Sequence, residues 1–414
     1  MQDFFDVIII GGGPAGMMAA GRAAERGARV LILEKNENLG KKLLITGGGR
    51  CNVTSAESDL RTLLDKFKAA APFLHSPFSQ WNNTDTISFF NSHGMPTKIE
   101  NEGRVFPVSD SAQSVWNVLN DYLKDTRVVI HYESAVKTVT IHDDLFLVTT
   151  QKQTYHSKSI ILATGGKSRP ETGSTGDGFK ILESLGHAVR EPEASLVPII
   201  VNDAWVHELS GLTLEKVRIT IVQNNQKQGA KIGKLLFTHF GLSGPTILNM
   251  SRDIGEYLKY GPVDITLDLF PGVDLGSINK RFTELFHSNS NKHIKNILGN
   301  SIPVKLVDHI LEVAAIKPET PCHSITRDQR ITLITVVKSL VMRVSGLMGT
   351  DKAIITSGGI PLSEITTKAM ESKIVPGVYI IGDLIDIDRP SGGYSLQLCW
   401  TTGFVAGNSI HITK

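Results

Sequence analysis

The sequence predicts an α/β fold wound on a parallel sheet and interrupted by an insertion, and three observations predict it. Within Phe5–Glu34 an apolar run, a glycine-rich turn, a helix-forming stretch and a second apolar run follow one another. Near the C-terminus apolar runs again end on glycine, in Ala353–Ile360 and Val378–Asp383. Between them, from about Leu196, the pattern changes to short strand-like pieces and then to helical stretches.

Val7–Ile10 is β-branched and apolar and reads as a buried strand. It runs into Gly11-Gly12-Gly13-Pro14-Ala15-Gly16, a G-x-G-x-x-G turn, and then into Met17–Arg26, a helix with small residues at Ala19, Ala20, Ala23 and Ala24. Gly27 ends the helix, Val30–Leu33 is a second strand, and Glu34 closes it. Gly11 permits the tight turn, Gly13 lets the backbone approach a pyrophosphate, and Gly16 lets helix and strand pack closely. The helix N-terminus offers unpaired N–H groups and the positive end of its dipole. Glu34, 18 residues after Gly16, is placed to accept hydrogen bonds from a ribose. The turn alone is weak evidence; with strand, helix, second strand and acid in place, a Rossmann-like dinucleotide site is the reading. NAD and FAD stay open at this point.

Asn38–Asn52 is an irregular loop in which Gly47–Gly49 would lie against the cofactor, with Lys42 and Arg50 offering charge; a plain surface connection is the alternative. Ser55–Asp125 reads mostly as helices with turns, Val115–Lys124 being amphipathic. Arg104 faces either substrate or solvent. Strands follow at Val128–Tyr132, Ala135–Ile141 and Phe146–Thr150, and Ser159–Gly166 is an apolar strand ending in Ala-Thr-Gly-Gly. No apolar strand leads into Gly173–Gly178, so it is read as a loop beside the cofactor rather than a second dinucleotide site, with a plain turn as the alternative.

In the insertion, Leu196–Val201, Val217–Val222, Gly233–Phe237 and Val263–Leu269 suggest a small β domain, and Leu275–Val344 reads as mostly helical. The expected division is 1–192 with 350–414, then 193–273, then 274–349. The C-terminal strand ends on Gly382-Asp383, and the helix Leu398–Ser409 carries Gly403, Ala406 and Gly407 for close packing. Asp383 would meet a sugar or ribityl hydroxyl, and N–H groups around Ser395–Gln397 would meet a ring.

The totals exclude several classes. A chain of 414 residues, 41% hydrophobic and 20% charged, describes a soluble globular protein of two or three domains. With a net charge of +2 nothing global argues for nucleic acid or a membrane surface as partner. Three scattered cysteines fit a reducing, cytoplasmic setting, and no spacing suggests a metal site. Acids at Asp3 and Asp6 argue against a signal peptide, and no apolar run reaches about 18 residues.

With these pieces in hand the chain resembles a family, the bacterial NAD(P)/FAD-dependent flavoproteins with aminoacetone oxidase-like and bile-acid-reductase-like members. The resemblance rests on Val7–Gly16, Gly47–Asn52 (GGGRCN), Ala163–Gly178, Phe237–Pro245 (FTHFGLSGP), Thr356–Ile360 and Gly382–Gln397. It implies FAD and a glutathione-reductase-type FAD-binding domain with an inserted β domain and a helical domain. It places Gly11, Gly13, Pro14, Ala15, Gly16, Glu34 and Lys35 on the ADP half. Lys42, Gly49, Arg50, Cys51 and Asn52 would run along the flavin, Thr164 and Gly165 near the adenosine, and Val136 against adenine through its backbone. Gly382, Asp383, Gly393, Tyr394, Ser395, Leu396 and Gln397 would hold the ribityl chain and ring. The family usually carries Glu where Asp383 stands, Asp-Gly where Asp388-Arg389 stands, and Asn where Ser395 stands.

The helix opening near Ser395 is the candidate for stabilising negative charge on a reduced flavin. His239 reads as a general base or as a loop histidine bonding its backbone. Tyr394 closes the ring pocket or only packs, and Cys51 is a small buried thiol or a redox thiol facing the flavin. The expected function is a FAD-dependent oxidoreductase acting on a small organic molecule, by amine oxidation or by enone (C=C) reduction. O₂ or transient NAD(P)H would complete the cycle, and substrate would enter between the FAD domain and the insertion. Two alternatives remain: a tRNA-modifying flavoprotein, kept open by Lys216, Arg218, Lys227, Lys231 and Lys234, and a non-catalytic flavin-binding module.

Overall fold

The computed structural model describes residues 4–412, so Asp3 lies outside the described residues. The chain forms two compact units, Met1–Ser195 with Thr350–Lys414, and Leu196–Gly349.

The first unit is built on the strand Phe4–Ile10, which pairs in parallel with Val30–Leu33 on one side and Thr154–Leu162 on the other. Val129–His131 extends the sheet beyond Val30–Leu33, and Val378–Ile380 adds in parallel beside Thr154–Leu162. Helices cover both faces of such a sheet, so its strands are apolar toward their C-terminal ends; Val7, Ile8, Ile9, Ile160, Ile161 and Leu162 are fully buried. The register sets the function. Ile10 sits opposite both Leu33 and Leu162, and Leu162 opposite Ile380, so four strands end in one line. The residues just past these strand ends converge along that line: Gly11, Glu34, Ala163-Thr164-Gly165 and Gly382-Asp383.

The first helix, Pro14–Glu25, packs on the C-terminal helix, Tyr394–Ser409, at backbone contact. A Cβ on Gly403 would stand 2.5 Å from the Ala15 carbonyl oxygen, and one on Gly407 would stand 2.4 Å from that of Ala19. The C-terminal helix starts at Tyr394, earlier than the expected Leu398, because Gly393 caps it at φ +98°. Ser55–Asp125 is not only helical. Thr54–Ser55, Arg104–Pro107 and Thr97–Glu100 form a three-stranded antiparallel sheet.

In the second unit Ile199–Val201, Gly241–Ser243, Gln226–Thr238, Thr213–Gln223, Val263–Asp268 and Leu340–Leu347 close into a six-stranded barrel. The last strand corrects the sequence reading, which placed it in a helical stretch. Leu340, Met342 and Val344 are buried while Val341, Arg343 and Ser345 are exposed, a period of two. The helices Leu275–Ser288, Val304–Val313 and Arg327–Lys338 bury Phe282, Leu306 and Leu333 in the same core as the barrel's Ile219 and Ile265. Among the described residues no helix is long and apolar enough to cross a membrane.

Gly403→Val puts two extra branches against the Ala15 carbonyl. It is expected to cost about 1–3 kcal/mol in urea unfolding. A wild-type midpoint would mean that the two helices do not touch.

Candidate functional site

A groove opens along the line of strand ends and encloses about 1230 Å³ of space, open solvent included. Of the residues expected from sequence, Gly11, Gly13, Pro14, Ala15, Glu34, Lys35, Lys42, Val136, Thr164, Gly165, Gly382, Asp383, Ser395 and Leu396 line it.

At one end stands the N-terminus of Pro14–Glu25. Gly13 caps it without a side-chain hydrogen bond, and no acid occupies the first turn. Its orphan N–H groups and dipole are therefore available to an anion. A Cβ on Gly13 would meet nothing within 4 Å, whereas one on Gly16 would lie 2.1 Å from the Gly11 carbonyl oxygen. Gly13 thus keeps space for a ligand and Gly16 serves packing.

Glu34 is 6% exposed. Its Oε2 accepts from Gly12 N–H at 2.8 Å, and its Oε1 accepts from the Asn36 backbone and side-chain amides, each at 2.8 Å. The acid is held by backbone on both sides, with lone pairs left for ribose hydroxyls. The Gly173–Gly178 loop lies beside the groove, as the sequence suggested. Lys35 Nζ donates to Thr175 Oγ1 at 2.6 Å and Asp177 Oδ2 at 2.8 Å, while Asn36 Nδ2 donates to the Thr172 carbonyl at 3.1 Å.

At the other end one Asp383 oxygen accepts from Arg389 Nη2 and the other from Lys42 Nζ at 3.2 Å. Lys42 Nζ also donates to Ser168 Oγ at 2.5 Å. Burial pushes the Asp383 carboxyl up, but the Arg389 guanidinium and the Lys42 ammonium outweigh it and hold it below its ordinary value. Ser395, in the first turn of Tyr394–Ser409, accepts from Arg389 Nε at 3.1 Å. Sequence reasoning did not name Asn36, Ser168, Arg389 or Cys399 as part of the site. Asn36 and Ser168 act through long-range pairing with Thr172 and Lys42, Arg389 acts through its near neighbours Asp383 and Ser395, and Cys399 reaches the groove from a helix face read only as packing.

Other expected residues stand behind the groove. Gly47, Gly48 and Gly49 all have positive φ and form the bend. Arg50 pairs with Glu100 and Asp110 at 2.5 Å each and lies 4.3 Å from the Phe106 ring centroid. Cys51 is fully buried, and burial pushes its thiol up to about 12. Asn52 Oδ1 is a buried acceptor with no partner among the described residues. A Cβ on Gly393 would stand 2.4 Å from the Thr54 carbonyl carbon. The buried Gln397 amide joins Thr54 Oγ1 at 2.6 Å to Thr401 Oγ1 at 3.0 Å. Tyr394 packs edge-on against Phe67. His239 belongs to the second unit, is exposed, and sets its ring edge against Phe240. In that unit Lys234 pairs with Glu215 at 2.9 Å and Lys231 Nζ donates to the Asn249 carbonyl at 2.9 Å.

The donor set fits FAD. It offers an uncapped helix N-terminus with open space at Gly13, a buried carboxylate for a ribose, and a second carboxylate beside a second helix N-terminus.

A family model described as the HI0933-like protein Rossmann domain matches residues 5–409. The chain is 30% identical over 405 residues to a 3-dehydro-bile acid delta(4,6)-reductase of Clostridium scindens, covering 97% of this chain and 98% of the relative. It is 31% identical over 410 residues to a ribosomal RNA dihydrouridine synthase of Escherichia coli, covering 99% of both. Its fold is similar to that of a 3-ketosteroid-delta4-(5alpha)-dehydrogenase of Rhodococcus jostii, with a TM-score of 0.54 and 14% identity over 98% of this chain and 96% of that one.

Cys399 lines the groove, and burial, then the Asp383 carboxylate, push its thiol up to about 12. At mildly alkaline pH, Cys51 and Cys399 in the folded protein are expected to react with iodoacetamide roughly a thousandfold more slowly than an ordinary thiol. Rapid native-state labelling of either, read by mass spectrometry, would show a thiolate the structure does not provide for.

Proposed function

We propose that this chain binds FAD in the groove and reduces a carbon–carbon double bond conjugated to a carbonyl, starting from the premise that it belongs to the HI0933-like Rossmann-domain family. It is an oxidoreductase of the flavoprotein class. The observation that carries the cofactor is the two-ended groove, in which a helix N-terminus and a buried carboxylate recur at each end. The relatives favour reduction over amine oxidation. A delta(4,6)-reductase of a 3-dehydro bile acid saturates an enone, and a dihydrouridine is a uridine whose ring double bond has gained two hydrogens.

In this reading Gly13 and the N–H groups of Pro14–Glu25 hold the pyrophosphate, and Glu34 holds the ribose. Asp383 accepts from a ribityl hydroxyl, and the first turn of Tyr394–Ser409 faces the ring. Once reduced by NAD(P)H, a bound flavin would supply a hydride to the β-carbon of the substrate, with a solvent proton going to the α-carbon. The N-terminal dipole of Tyr394–Ser409 favours negative charge beside it, and Arg389 with Lys42 keeps Asp383 ionised, so the acid accepts and does not donate. Transient NAD(P)H is the proposed electron donor.

The substrate divides into two readings. A small enone is the first. An RNA uracil is the second, favoured by the identity to the ribosomal RNA dihydrouridine synthase and by exposed Lys216 and Lys227. The bond reduced is of the same kind in both.

Anaerobic mixing with NADH or NADPH is expected to bleach the flavin absorbance, and a 3-keto-4-ene steroid or uridine-containing ribosomal RNA is expected to restore it. Amines leaving the oxidised flavin unbleached without oxygen, while enones re-oxidise the reduced flavin, separates reduction from amine oxidation. Because a Cβ at position 13 touches no protein atom, Gly13→Val is expected to keep wild-type thermal stability while losing FAD at least about a hundredfold. Colourless wild-type protein that takes up no FAD, or a Gly13→Val protein that stays yellow, overturns the cofactor assignment.

A further inference from the structure

We infer that Arg389 is a positioning residue that locks Asp383 and Ser395 into one unit, presenting an acceptor and a hydroxyl donor side by side to the bound nucleotide. The inference rests on the FAD reading and deepens it. A single enclosed guanidinium, that of Arg389, joins the two groove-lining side chains Asp383 and Ser395. Arg389 Nη2 donates to Asp383 Oδ1 and its Nε donates to Ser395 Oγ at 3.1 Å. Its Nη1 is anchored on the Ile387 carbonyl at 2.8 Å.

The Arg389 side chain has no exposed surface and does not line the groove, whereas Asp383 and Ser395 both do. It therefore acts on a ligand through them. A guanidinium has donors only, so each group it touches must accept. Ser395 Oγ accepts from behind, which leaves its own proton to turn toward the groove. Asp383 keeps a lone pair on each oxygen for a ligand hydroxyl while a cation secures each from the protein side. Glycine at 389 would leave the buried carboxylate with Lys42 alone and would leave the guanidinium's volume unfilled.

The charged and titratable groups facing Asp383 are Arg389 on the loop, Lys42 on the helix Lys41–Leu44, and Cys399 on the C-terminal helix. The Cys399 thiol stays neutral near neutral pH, so Lys42 and Arg389 alone oppose burial. With its carboxyl held low, Asp383 loses its charge only in strong acid, and any binding it supports persists above that point. Removing the guanidinium leaves burial opposed by Lys42 alone, so the carboxyl rises and the loss begins at higher pH.

The test is FAD affinity of the full-length apoprotein as a function of pH, measured by quenching of flavin fluorescence. Wild type is expected to be flat from neutral pH into mild acid. Arg389→Met is expected to weaken as pH falls, by roughly tenfold per pH unit once below the raised Asp383 value. Arg389→Lys, which keeps the charge and loses the two-pronged grip, is expected to stay flat at weaker affinity. Restoring all three usual residues together, Asp383→Glu with Arg389→Gly and Ser395→Asn, is expected to bind FAD more tightly than Arg389→Gly alone. A flat profile for Arg389→Met, or losses in the triple variant that equal the sum of the single losses, overturns the inference. Should Arg389→Met not fold, a pH-dependent Arg389→Lys overturns it as well. A wild-type protein that takes up no FAD instead overturns the flavin reading on which the inference rests.

Discussion

The parallel hydrogen-bond ladder around Phe4–Ile10 is the constraint on which the rest depends. Residues far apart in sequence, Glu34, Thr164 and Asp383, reach one groove only because Leu33, Leu162 and Ile380 lie in register with Ile10 or with one another. A slip of one residue in a strand would exchange its two faces and shift its end along the line. The register is secured by burial on both faces, so the apolar content of these strands is a condition of the site and not merely of stability.

The two ends of the groove solve opposite electrostatic problems. At Gly13 the helix N-terminus is left without a capping side chain and without an acidic first turn, a local deficit that an anion can fill. At Asp383 the carboxylate is compensated twice, by Lys42 and Arg389, although one cation would balance its charge. An extended nucleotide carries its anionic pyrophosphate and its hydroxyl-rich ribityl chain in different places, and the groove is polarised to match. The close approach of Pro14–Glu25 and Tyr394–Ser409, through Gly403 and Gly407, aligns the two helix starts on the same opening.

What could be read from sequence was what backbone geometry writes into residue type. Gly11, Gly13 and Gly16 each have a separate steric reason, and Glu34 and Asp383 are acids placed just past apolar strands. What could not be read depended on distant partners. Leu340–Leu347 alternates, but over eight residues beside helical sequence the alternation has meaning only once Val263–Asp268 and Ile199–Val201 flank it. Arg50 looked like a phosphate ligand until Glu100 and Asp110, 50 and 60 residues away, claimed its guanidinium. Arg389 was visible only as a departure from the family's usual glycine, because arginine ordinarily signals surface and not a fully enclosed side chain.

A steroid-like enone and a uracil ring share little in size or charge, yet relatives named for each align with nearly the whole of this chain. The shared part is electronic: in both, a carbonyl drains the charge that a hydride brings to the far carbon of the double bond. On the proposed reading the polarised groove would offer the same thing to either, an oriented nucleotide and a helix N-terminus that favours negative charge. Substrate identity must then be written in residues that do not touch the nucleotide. Sequence change is expected to be permissible there, whereas Gly13, Glu34 and the Asp383–Arg389–Ser395 unit answer to the cofactor. On the proposed reading a substitution in that unit alters cofactor binding whatever the substrate, and a substitution outside the groove alters the choice of substrate.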